Sequence, residues 1–111
     1  MTRRGRIDLL RGTLDMLVLQ VLEQAPSHGY AIAKRIQQTT DEVLSVEEGS
    51  LYPALYRMEK RGLIESAWGV TETNRRAKIY RMKKAGLDHL AAKVADWGQF
   101  SAAVGKLLQP H

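Results

Sequence analysis

Ser50-Leu51-Tyr52-Pro53-Ala54-Leu55-Tyr56-Arg57-Met58-Glu59-Lys60-Arg61-Gly62 carries two patterns at once. Leu51, Ala54, Leu55 and Met58 recur at helical spacing and make one apolar stripe. Ser50, Tyr52, Tyr56, Arg57, Lys60 and Arg61 fall on the opposite face, which is therefore lined by hydroxyls and cations. Pro53 is compatible with a helix over Ser50–Arg61. With Ser50 as N-cap it stands in the first turn, where backbone N–H groups lack partners in any case. Gly62 is a natural residue to end the helix. Two β-prone segments follow, Leu63–Gly69 and Ala77–Met82, rich in Ile, Trp, Val and Tyr. Between them Val70-Thr71-Glu72-Thr73-Asn74-Arg75-Arg76 is polar and basic, so the pair predicts a hairpin with a charged tip.

Upstream, Leu14, Leu17, Val18, Val21 and Leu22 form the stripe of a helix over Gly12–Gln24, with Thr13 as N-cap. Ala25-Pro26-Ser27 ends it. A second helix covers Gly29–Gln38, capped by Ser27 or His28, with Tyr30, Ile32, Ala33 and Ile36 facing inward. Val43–Val46 is β-prone and predicts a small strand. Downstream, Leu87, Leu90, Val94, Trp97, Ser101, Val104 and Leu108 alternate in steps of three and four over a helix from Lys84 to Leu108. That is the spacing of a helix packed along another helix. Gly98 and Gly105 each cost it about 1 kcal/mol relative to alanine. Such a helix would be roughly 35 Å long and would overhang a small domain. A second copy of the same chain is its simplest cover.

The chain has 111 residues, enough for one domain with an appended element. Cysteine is absent, which excludes disulfides and thiolate metal sites and agrees with a reducing cytoplasm. Seventeen Lys and Arg face 12 Asp and Glu, for a net charge of +5 and a pI near 9.7. A balance this basic in a small domain is a common footprint of nucleic-acid binding. The N-terminal stretch is basic and then apolar, but Asp15, Gln20 and Glu23 interrupt the apolar run, so it does not read as an export signal. No run of 18 apolar residues is present to span a membrane.

The expected organisation is a basic N-terminal arm over 1–11, a winged helix DNA-binding domain over 12–82 and a C-terminal dimerisation helix over 83–111. The fold class is mainly α with a small β-hairpin, a winged helix-turn-helix. In that arrangement the second helix supports the third, the third enters the major groove and the hairpin reaches the backbone or minor groove. Arg75, Arg76 and Lys78 on the hairpin and Arg3, Arg4, Arg6 and Arg11 on the arm place the charge on elements that can meet one ligand.

Taken in order, Leu10-Arg11-Gly12-Thr13-Leu14, His28-Gly29-Tyr30, Gly49-Ser50-Leu51-Tyr52-Pro53-Ala54-Leu55 with Met58-Glu59 and Gly62, and Asn74-Arg75-Arg76-Ala77-Lys78 with Tyr80 closely resemble PadR-type transcriptional regulators. The resemblance is closest to the short members with a minimal C-terminal region, and it spans about residues 9–108. It implies a winged-helix homodimer that binds a palindromic promoter site, usually as a repressor, in the cytoplasm. The family's DNA-contacting tyrosine falls on Tyr52, beside Ser50; the tyrosine of the His-Gly-Tyr motif falls on Tyr30; the wing's basic residues fall on Arg75, Arg76 and Lys78. Met82-Lys83 replaces the hydroxyl-bearing pair that often caps the last helix.

The expected DNA-binding residues are therefore Tyr30, Ser50, Tyr52, Arg57, Arg75, Arg76 and Lys78. The expected dimer interface is Leu87, Leu90, Val94, Trp97, Val104 and Leu108. Each has a plainer role beside it: Tyr52 packing the helix start, Tyr30 in the core, Arg57 paired with Glu59, Glu65 or another acid, and the wing arginines simply solvated. Trp97 either packs the dimer or, as in some relatives, lines a pocket for a small aromatic effector. No catalytic grouping, phosphate-binding glycine loop, cofactor motif or metal spacing is present, and His28, His89 and His111 lie far apart in sequence. An RNA-binding winged helix would need exposed aromatics to stack on bases, and Phe100, Trp68 and Trp97 read as structural. A protein-interaction module without DNA binding would carry a neutral or acidic recognition face.

Overall fold

The computed structural model describes the backbone of residues 3–109 and the side chains of residues 13–109. Along it run α1 (Arg3–Gln24), β1 (Ser27–His28), α2 (Gly29–Thr39), α3 (Glu48–Lys60), β2 (Ile64–Val70), β3 (Arg76–Met82) and α4 (Lys84–Leu108). The strands form one antiparallel sheet in the order β1-β3-β2. The architecture is mainly helical with a small sheet, as the sequence predicts. No helix among the described residues is long and apolar enough to cross a membrane.

The apolar stripes meet in a single core. Leu14, Val18, Leu19 and Leu22 of α1 pack with Ile32 and Ile36 of α2 and with Leu51, Ala54, Leu55 and Met58 of α3. Leu63, Ile64, Tyr80 and Leu90 close it from the sheet and α4. Each fully buried Leu, Ile or Met contributes about 1.5–3 kcal/mol by leaving water. Leu17, Val21 and Ala33 lie at the edge of this core, as does Met82.

Several expectations are corrected. α1 begins at Arg3, so residues expected to form a separate arm continue the first helix, and Thr13 lies within it rather than at its cap. The side chains of Arg3, Arg4, Arg6 and Arg11 lie outside the described residues. Gly5 and Gly12 look like breakers, but each costs only about 1 kcal/mol, while the Leu and Arg residues around them are strong helix formers. α3 begins at Glu48 with Glu47 at its N-cap, which makes no side-chain capping bond; Ser50 is inside the helix and Pro53 is its sixth residue. Proline at this depth forgoes one helical N–H bond and crowds the carbonyl four residues back, here that of Gly49.

Val43–Val46 forms no strand. Asp41 and Glu42 adopt left-handed backbone, with φ of 52° and 69°, and turn the chain there. Thr40 holds the turn: its Oγ1 donates to the Ile36 carbonyl at 2.9 Å and accepts from Leu44 N–H at 3.1 Å. Leu44 and Val46 then pack on the core through their side chains. The free edge of β3 is taken instead by Ser27–His28, which pairs with Tyr80 and Ile79.

The start of α4 is locked onto the hairpin. Lys83 N–H donates to the Leu63 carbonyl at 3.1 Å. A Cβ on Gly86 would collide with that same carbonyl oxygen and with Met82 Sδ. Lys83 stands at the N-cap without a side-chain capping bond; its backbone carbonyl accepts from Gly86 N–H at 2.9 Å.

Tyr80 is buried, and its phenol titrates above the usual value near 10: burial is the main cause, followed by the Glu59 carboxylate and Tyr52. The unfolded chain ionises this phenol first, so the folded state holds more protons in that range. Stability is therefore fully present below pH 10 and falls as pH rises through the folded-state value. Urea unfolding between pH 8 and 11 should show this fall, flattened in Tyr80→Phe; an equal fall in the variant would assign it to other groups.

Candidate nucleic-acid interface

With Leu51, Ala54, Leu55 and Met58 all wholly buried, the rotation of α3 about its axis is fixed. Its outer face then presents Tyr52, Tyr56, Arg57 and Lys60, all exposed. Ser50 is half-buried in the first turn. Lys60 Nζ lies 5.4 Å from the Tyr56 ring centre. Arg57 is partly committed within the chain, since its guanidinium reaches Asp15 on α1 at 3.4 Å. That acid is neither of the two the sequence points to by name, because the contact crosses 42 positions along the chain.

Tyr30 was expected on the inner face of α2 and is instead 64% exposed. Gly29, Ile32 and Ile36 make the buried stripe of α2, and Tyr30 falls outside its arc. His28 caps α2, with Nδ1 accepting from Ala31 N–H at 3.4 Å. The His28 and Tyr30 rings lie parallel, 6.5 Å apart, and Lys34 Nζ lies 5.8 Å from the Tyr30 centre.

Tyr52 joins α2 to α3. Its ring lies so close to Gly29 that a Cβ there would stand 2.6 Å from the phenol oxygen. Tyr30, Lys34, Glu48, Leu51 and Tyr52 line an open cleft of about 390 Å³ between the two helices. Packing and an exposed edge coexist in Tyr52, so its structural role does not remove it from the surface.

The hairpin is regular from Ile64↔Met82 to Val70↔Arg76. Its turn is closed by Thr71 N–H donating to the Arg75 carbonyl at 2.8 Å, with Asn74 in left-handed backbone at φ 63°. Arg75, Arg76 and Lys78 are exposed. Among the described residues none of the three has a carboxylate partner. Glu72, on the same turn, faces His28 at 3.9 Å. Trp68, read from sequence as structural, is 61% exposed, with Arg76 Cζ over its ring, 5.0 Å from the centre. Strand alternation was its only available signal, and that places it on the side of buried Tyr80 without revealing where the core ends.

On α4, Leu87, Val94, Trp97 and Leu108 are exposed and Val104 is half-buried. Leu90 departs from the expectation: at 4% exposure it belongs to the core of its own chain. Phe100, absent from the expected stripe, is exposed with its ring 6.0 Å from that of Trp97. Among the described residues no group of three His, Cys, Asp or Glu could hold a metal ion.

The model of the transcriptional regulator PadR-like family matches residues 18–92, more than half of the chain. The chain belongs to the PadR-like family of transcriptional regulators. A solved transcriptional regulator from Clostridium thermocellum is 34% identical, with a TM-score of 0.84 over 92% of this chain and 99% of that one. A PadR-like regulator from Bacillus cereus is 31% identical, with a TM-score of 0.80 over 94% and 99%. An uncharacterised protein of Lysinibacillus sphaericus is 27% identical over 104 residues, covering 94% of this chain and 95% of that one. Members of this PadR-like family regulate transcription and are not enzymes.

The contact between Gly29 and Tyr52 is directly testable. Gly29→Ala should destabilise the fold by about 1–3 kcal/mol, the usual cost of overpacking. Adding Tyr52→Ala should remove most of that loss, because the clashing ring is gone. Urea unfolding of both single variants and the double variant checks this; independent, additive losses would contradict the packing.

Proposed function

We propose that this PadR-like regulator is a sequence-specific DNA-binding protein that acts as a homodimer on a palindromic promoter site, as a repressor. The observation that carries the reading is a wing whose Arg75, Arg76 and Lys78 have no acid partner among the described residues, beside an α3 whose outer face is hydroxyl-bearing and basic. A helix of 13 residues is about 20 Å long and fits the major groove. Tyr52, Ser50 and the free part of Arg57 would meet base edges or phosphate there. Tyr30 would meet backbone at the start of α2, and the wing cations would neutralise phosphates beside the groove.

The outer part of α4 supports the dimer. From Ala91 to Ala103 every residue is exposed, although Val94, Trp97 and Phe100 are large and apolar. Contiguous apolar surface of this kind marks an interaction site, and a second copy covers it with Leu87, Val94, Trp97, Val104 and Leu108 in register. Two-fold symmetry then calls for inverted half-sites about 10 bp apart, centre to centre. A dimer seated on a promoter represses by occupancy alone. DNA work of this kind places the chain in the cytoplasm.

Arg75→Ala with Arg76→Ala should weaken binding to all duplexes and lower the slope of log affinity against log salt by about 1 per lost phosphate contact. An unchanged slope would remove the wing from the DNA interface.

The exposed Trp97–Phe100 pair favours a second feature, a small aromatic effector held between subunits. In Trp68→Phe, where Trp97 is the sole tryptophan, a panel of aromatic compounds should include one that quenches fluorescence saturably. Linear quenching by every member would leave Trp97 a packing residue.

A further inference from the structure

Even-numbered residues of the hairpin share one face. Ile64, Ser66, Trp68 and Val70 on β2 stand across from Met82, Tyr80, Lys78 and Arg76 on β3. At its base this face is the core side: Ile64 and Tyr80 are buried, and Ser66 Oγ donates to Glu59 Oε2 on α3 at 2.7 Å. Alternation carries the same side outward to Trp68, beyond the reach of the core, where the indole lies mostly in water. Tryptophan normally supplies apolar area to a core or an interface. Here its ring partner is Arg76, its diagonal neighbour across the strands, with the guanidinium carbon 5.0 Å from the ring centre.

A guanidinium held over a ring by cation–π attraction still has five N–H donors in its planar fork, more than the ring can engage. The planar fork suits a phosphate held by two hydrogen bonds. An arginine already held against a ring has less rotamer freedom to lose on binding than one at a free loop tip.

We infer that Trp68 is a positioning residue of the wing: its indole holds the Arg76 guanidinium in place to grip a backbone phosphate of duplex DNA. The inference rests on the wing being a DNA contact, and it adds a role that neither charge nor helix placement assigns.

The test is fluorescence anisotropy of a labelled mixed-sequence duplex over a salt series. It compares the wild type with Trp68→Ala, Trp68→Phe, Arg76→Ala and the double variant Trp68→Ala/Arg76→Ala. Arg76→Ala should weaken binding about tenfold or more, as for a charged hydrogen bond, and lower the salt slope by about 1. Trp68→Ala should weaken it about two- to fivefold, the range for an exposed cation–π pair. Trp68→Phe keeps a ring face and should retain most of the affinity. Removing Arg76 should matter less in the Trp68→Ala background than in the wild type. Both side chains are exposed, so unfolding temperatures should stay close to wild type.

Full affinity in Trp68→Ala, or losses that multiply independently in the double variant, would overturn the positioning role. If Arg76→Ala still lowers the slope in that case, the wing reading stands without it. A wild type that binds no duplex at any salt would overturn both together.

Discussion

Burial of Leu51, Ala54, Leu55 and Met58 is the constraint on which the rest of the surface depends. Four side chains at helical spacing, all removed from water, leave α3 one rotation about its axis. That rotation turns Tyr52, Tyr56 and Lys60 outward, and it brings Glu59 to Ser66 at the root of the hairpin. Ala54 matters through its size, since a small residue in the stripe lets the helix approach its neighbours closely. Apart from Tyr52, which also packs against Gly29, the outer face can vary in sequence without loosening the helix, because the buried stripe supplies the packing.

The wing is a second rigid unit fastened to the first. Its register carries the core side of the sheet outward until the core runs out, so the aromatic and basic residues beyond Tyr80 are presented on a paired ladder. The Lys83–Leu63 bond and the tight approach of Gly86 fasten α4 to the same place. α3, the wing and the start of α4 thus converge on the segment 58–64. A change there would be felt at all three.

The regular elements were legible where periodicity is strong. The hairpin, the Gly29 start of α2 and the full span Lys84–Leu108 follow from alternation, capping residues and heptad spacing. The misses have physical causes. A two-residue strand at Ser27–His28 is too short to carry any periodic signal. Val43–Val46 has strand composition, but it follows a left-handed turn and packs Leu44 and Val46 on the core, while the edge of β3 is taken by Ser27–His28. Ser50 and Thr13 both look like caps, yet helix ends depend on chain direction before the first turn as much as on a hydroxyl. Leu90 sits in the heptad stripe, and only the tertiary fold reveals that this part of the stripe belongs to the core of its own chain. Tyr30 and Trp68 were misplaced for the opposite reason: aromatic residues read as core, and their exposure became visible only with the limits of the core.

The most direct test of the account is selection of bound sequences from random duplex DNA with the purified chain at physiological salt. A dimer with α3 in the major groove should recover an inverted repeat with half-sites about 10 bp apart, centre to centre. Recovery of no motif, with binding that disappears as salt rises, would leave only charge-driven attraction and would contradict sequence-specific regulation by this surface.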